Sequence, residues 1–168
     1  MALTCGLQYP RAEPLVPALT AITAKADDLV LDSTNQATAL LSLRVAAELA
    51  AARNDTALIT QFLDNLIAAA TTCAERYPFP VEPSCLDMNA SPPANLAALI
   101  LETLAALSKR TSLDDAVSFL AEGLLRLADA WPQAAPVWRR VVSVIYDQLP
   151  PAVTPPLWRT WLRLRALP

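Results

Sequence analysis

Apolar residues recur at helical spacing through most of this chain. The clearest run is Ile59, Phe62, Leu63, Leu66 and Ile67, at i, i+3, i+4, i+7 and i+8, with Leu58 beside it. That period places the side chains on one face of a helix and no other regular structure does so. Before it, Leu40, Leu41, Leu43, Val45, Ala46 and Leu49 mark a face that runs to Arg53. After it, Leu96, Leu99, Ile100, Leu104 and Leu107 mark a third face, and Val117, Leu120, Leu124 and Leu127 a fourth. A weaker pattern, Leu19, Ile22, Leu29 and Val30, lies within residues 18–31.

Polar residues and prolines punctuate these runs. Ser33 with Gln36 three residues on has the spacing of a capping box, and Ser112 with Asp115 repeats it, Asp114 and Asp115 suiting the positive end of a helix. Asn54-Asp55 reads as the end of one helix and the cap of the next. Ser91-Pro92 and Thr154-Pro155 read as N-cap and first helical residue. Trp131-Pro132 and Pro150-Pro151 break the chain on either side of a helix that Pro136 starts and that ends near Gln148. Residues 1–17 are irregular and proline-rich, and residues 77–93, with five prolines and no period, read as a loop. The expectation is an all-α fold of six to seven helices in a single domain, arranged as stacked antiparallel hairpins or an irregular bundle. The runs at 39–67 and 97–124 also align at offsets of 57 and 58, Phe62 on Phe119 at one and Leu41 and Leu43 on Leu99 and Leu101 at the other. Each run is followed by an aromatic-proline pair, Tyr77-Pro78 and Trp131-Pro132, as two stacked hairpins would be.

Composition narrows the functional classes. Of the 168 residues 54% are hydrophobic and 17% charged, so the chain has ample material for a core. Two glycines, Gly6 and Gly123, cannot build a phosphate-cradling loop. There is no histidine, which removes imidazole bases, nucleophile–histidine pairs and the Glu-x-x-His sets of di-iron bundles. Cys5, Cys73 and Cys85 lack metal-ligand spacing and read as buried or incidental thiols, a Cys73–Cys85 disulfide requiring an oxidising compartment. Asp27-Asp28 and Asp114-Asp115 diverge by about 100° on a helix, too far apart to share a proton. Glu102, the one carboxylate inside an apolar run, is expected on the solvent edge of its helix. The reading is therefore of a protein that is not an enzyme and needs neither cofactor nor metal.

A spanning helix needs about 20 largely uncharged residues, and the richest apolar stretch, 95–107, is shorter and holds Glu102. The first residues lack the basic start and apolar run of a signal peptide, which points to the cytoplasm. Eleven arginines against two lysines, with abundant alanine, is the usage of a GC-rich coding sequence and points to a bacterial source. The formal charge of −3, with no Lys/Arg run on a long helix, argues against nucleic acid as a partner.

Charge and aromatic content are unevenly spread. Residues 1–138 hold eight basic and fifteen acidic residues, a balance of −7, whereas residues 139–168 hold five arginines and one aspartate, +4. All four tryptophans fall at or after position 131. In the terminal stretch TPPLWRTWLRLRALP, Leu157, Trp161 and Leu164 share one helical face, with Trp158 and Leu162 on its shoulder. Arg159 and Arg163 take the other side, and Arg165 is expected against the ring of Trp158. This ending suits a terminal helix packed into the core, a protein-binding face, or a helix lying on a membrane surface. Tryptophan and arginine dominate binding hot spots, so Trp158, Trp161, Arg159, Arg163 and Arg165 are the candidate partner-binding residues. The expected function is protein–protein interaction, of an adaptor, chaperone-like or toxin-neutralising kind, with another protein or a second copy as partner. The alternatives are a helical binder of an apolar small molecule or lipid, with 77–93 as its lid, and a peripheral membrane-surface protein.

Overall fold

The structure, a computed structural model, describes residues 36–83, 91–109 and 112–167, the side chains of 36–40 excepted. The expectations for residues 1–17 and 18–31, for Ser33 and for Cys85 lie outside this range. The described residues form an all-α bundle of six α-helices: α1 Gln36–Arg53, α2 Thr56–Arg76, α3 Pro92–Leu107, α4 Leu113–Ala130, α5 Ala135–Gln148 and α6 Pro155–Arg165. Single 3₁₀ turns, Pro132–Ala134 and Pro151–Val153, lead into the last two.

Local chemistry explains the boundaries. Asn54, at φ 51°, is the one non-glycine residue in the left-handed region among those described, a conformation asparagine tolerates better than most residues. Its N–H donates to Ala51 O, and that of Asp55 to Ala50 O, which closes α1 in a Schellman arrangement. Asp55 then opens α2, its carboxylate accepting from Leu58 N–H at 3.1 Å. Ser112 caps α4, accepting from Asp115 N–H at 3.1 Å and donating to the Asp115 carboxylate at 2.7 Å. Pro92 stands in the first turn of α3 and Pro136 in that of α5. Thr154 departs from expectation: it sits at the start of α6 in helical backbone, so its hydroxyl cannot cap and donates back to Pro151 O at 2.9 Å. α3 begins at Pro92 behind Ser91, as the Ser91-Pro92 pair suggested, so Pro92 and Pro93 belong to its first turn and not to the proline-rich loop.

The helices assemble as two hairpins with a C-terminal pair added. α1 packs chiefly on α3, α2 lies against α1, α3 and α4, and α6 packs on both α4 and α5. Two ion pairs join equivalent layers of the hairpins: Arg44 of α1 with Glu102 of α3, and Asp64 of α2 with Arg126 of α4 at 2.7 Å. Glu102 is half exposed, as its place on the edge of an apolar helix requires. One core runs through Ile59, Phe62, Leu66, Ile100, Leu104, Leu107, Leu124 and Leu127 and ends on Trp131 and Trp138, both fully buried. Tyr77, Trp131 and Trp138 form a ring cluster, the two indoles meeting edge to face at 6.2 Å. Val81, buried and donating its N–H to Gln133 O at 2.8 Å, pins the 77–83 segment beside the same corner.

By length and composition α2 is able to cross a membrane, which corrects the expectation that no stretch is. Two of its three charged residues, Glu75 and Arg76, crowd into the last turn, which leaves a long window broken only by Asp64. In this bundle its apolar face, from Ile59 to Cys73, is buried against neighbouring helices.

Candidate functional site

α6 is amphipathic because its leucines and arginines fall out of phase. Leu157, Thr160 and Leu164 point inward and are buried. Thr160 secures the helix from within, its hydroxyl within hydrogen-bonding distance of Ala121 O in α4 (3.2 Å) and Pro156 O (3.1 Å). This leaves Trp161 on the flank beside α5, partly buried against the core, and Trp158 and Leu162 facing outward. Trp158 is 47% exposed and Leu162 48%, the opposite of Trp131 and Trp138 at 0%.

The exposed aromatics are ordered rather than loose. Trp158 and Trp161 stack at 5.1 Å with 12° between their planes, and Tyr146 of α5 leans on Trp158 at 6.1 Å. Three residues separate the indoles, which on a helix puts them on neighbouring faces within reach of each other. The Arg165 guanidinium lies over the ring of Trp161, 5.2 Å from its centroid. The sequence suggested Trp158 as its partner. Four residues separate Arg165 from Trp161, about 6 Å along the axis, whereas the seven to Trp158 make about 10.5 Å. Arg165, Trp161, Trp158 and Tyr146 thus form a continuous ladder across the α5–α6 seam.

Beside the ladder lies a concavity of about 130 Å³, lined by Val142, Ser143, Tyr146, Asp147, Trp158 and Trp161. Its floor is apolar and Asp147 is its one charged wall. On the opposite flank of α6, Arg163 approaches Asp129 of α4 at 3.8 Å, a loose pair between exposed side chains. Arg159 is exposed, and among the described residues neither it nor Arg165 meets a carboxylate. The five candidate residues therefore share one helix but do different things. Trp161 anchors, Trp158 presents its ring, Arg165 holds the ladder's end, Arg163 faces Asp129 of α4 loosely, and Arg159 projects outward.

The sequence reading missed Tyr146, Val142 and Asp147, the α5 half of the site. Tyr146 carried a usable signal, since it follows the inward-facing Val142 by four residues and so stands one turn further along the same side of α5. Nothing in the sequence said that α6 would lie on that side.

Other chemistry-bearing residues stand apart. Cys73 is a free, fully buried thiol whose pKa burial pushes up to about 12, the nearby Arg76 offsetting only part of the shift. Asp114 and Asp115 occupy the first turn of α4, where they answer the helix dipole. A second concavity of about 230 Å³, between α1 and α3, is lined by Arg44, Glu48, Glu102 and Lys109 with two alanines, and its charged groups are paired with one another. No protein-family model, curated protein or solved structure matches the chain.

Proposed function

We propose that the protein works without chemistry of its own, by binding another protein across the face that α5 and α6 form together. The observation that carries this reading is the ring of Trp158, half exposed yet held by contacts with both Trp161 and Tyr146. An indole kept in place in the free protein loses little conformational entropy when a partner covers it, and that is what makes tryptophan an effective anchor. Leu162 widens the apolar centre, and Arg159 and Arg165 rim it.

Two geometric points favour a protein over the alternatives. The concavity of about 130 Å³ is small beside the roughly 300–1,000 Å³ of pockets that enclose a small molecule, and segment 77–83 does not line it. A helix lying on a bilayer needs its whole apolar face for lipid, but Leu157 and Leu164 are spent inside the bundle, so that α6 exposes Trp158 and Leu162 and part of Trp161.

Panning a displayed random-peptide library against the folded protein, with Trp158→Ala as counter-target, tests the reading. It predicts clones that bind the wild type and not the variant. Clones that bind both equally, or none above background, would contradict it.

A further inference from the structure

Resting on the reading that the α5–α6 face binds protein, we propose that the segment it receives is acidic and amphipathic, with apolar side chains to cover Trp158 and Leu162 and carboxylates to meet Arg165 and Arg159. The local charge argues for this. Residues 139–168 carry five arginines and one aspartate, against a chain that is acidic overall. Around α6 the exposed arc runs from Arg165 through Trp158 and Leu162 to Arg159, so the apolar strip has a cation on each side.

Arg165 is prepared for such a contact. Its guanidinium lies over the ring of Trp161, a contact that spends none of its hydrogen bonds on a carboxylate, and a guanidinium can bind a carboxylate through two parallel hydrogen bonds. The contact also restricts the side chain beforehand, so less freedom is lost on binding. Asp147, on the α5 side of the concavity, repels a carboxylate seated near it. The partner's acids therefore lie at Arg165 and Arg159, away from Asp147, and its apolar residues between them over Trp158 and Leu162. A second copy of this chain has fewer carboxylates to offer than its composition implies: among the described residues of its acidic part, Glu48, Asp64, Glu102 and Asp129 already face arginines or a lysine of their own chain and Asp55 and Asp115 are engaged at helix caps, which leaves Glu75, Glu82, Asp114 and Glu122.

The sequences of the Trp158-dependent clones provide the test. They are expected to be rich in Asp and Glu beside Leu, Phe or Trp. A synthetic peptide of the best clone is expected to lose about tenfold or more in affinity against Arg165→Ala, measured by fluorescence anisotropy. Replacing its acidic residues by lysine should abolish binding to the wild type and restore it to an Arg159→Glu, Arg165→Glu double variant. Both arginines are exposed, so a melting curve of each variant verifies that the fold is intact. Trp158-dependent clones that are basic or show no charge bias overturn this inference and leave the protein-binding reading standing, whereas the absence of Trp158-dependent clones removes both. Two further results overturn the assignment of the partner: a blue shift of tryptophan emission with phosphatidylserine vesicles, lost in Trp158→Ala, and a wild-type dimer in sedimentation that Trp158→Ala dissolves.

Discussion

At the scale of single residues, the four tryptophans divide by where the backbone carries them. Trp138→Ala is expected to cost about 3–5 kcal/mol, because it empties a fully buried site. Trp158→Ala should cost about 1 kcal/mol or less, the value of one aromatic pair, since half its surface already meets water. Urea unfolding of the two variants makes the comparison. Gly123 offers a sharper probe of packing, because a Cβ there would run into Leu104 Cδ1 inside the core. Alanine in a helix interior gains about 1 kcal/mol over glycine, but overpacking costs about 1–3, so Gly123→Ala should destabilise the wild type. In a Leu104→Ala background the same substitution should stabilise, and the change of sign in a double-mutant cycle is the readout. Cys73 links stability to pH. Its folded pKa, about 12, lies above the ordinary 9.0, so its contribution is whole below pH 9 and is lost as pH rises toward 12. Over that window stability should fall by up to about 1.4 kcal/mol per pH unit, a slope that Cys73→Ala removes. The wheel of α6 was legible in the sequence down to which leucines face inward. The partner of Arg165 was not, because wheel angle alone ignores the rise along the axis.

At the scale of elements, boundaries were the most legible feature, since prolines and capping residues act within a turn of where they stand. Asn54-Asp55 ends α1 and starts α2, and Ser112 with Asp115 opens α4, all from local hydrogen bonds the sequence implies. Asp55→Ala should lower stability by about 1 kcal/mol through loss of the cap. Asn54→Gly should be tolerated, and Asn54→Val should cost about 1–2 kcal/mol by forcing a branched side chain into the left-handed region. Thermal melts of the three variants test the turn. Thr154 shows where local reasoning stops: the preceding 3₁₀ turn, Pro151–Val153, sets its backbone and claims its hydroxyl. The sequence contained that proline pair but not the geometry it would impose.

At the scale of the whole molecule, the periodicity implied helices and hairpins but not which faces meet. The stacking of α1 on α3 and α2 on α4 is marked on the surface by Arg44–Glu102 and Asp64–Arg126, residues 58 and 62 positions apart. Exposed pairs of this kind contribute about 0–1 kcal/mol each, so the buried leucines hold the layers and the pairs mark their register. α6 takes its seat against α4 and α5, and there Trp158 is half exposed and Trp161 partly buried, whereas Trp131 and Trp138 lie in the core. The α5 half of the site was only partly legible in the sequence for this reason: spacing puts Tyr146 on the side of Val142, but Tyr146 and Trp158 meet through packing. The central claim is that this seam is the binding face. Its most direct test is the indole N–H region of a ¹H–¹⁵N spectrum, its four signals assigned through single Trp→Phe variants and followed while a selected peptide is added. The account predicts that the signals of Trp158 and Trp161 move while those of Trp131 and Trp138 stay. A peptide that binds and leaves Trp158 unmoved, or shifts the two core indoles instead, would contradict it.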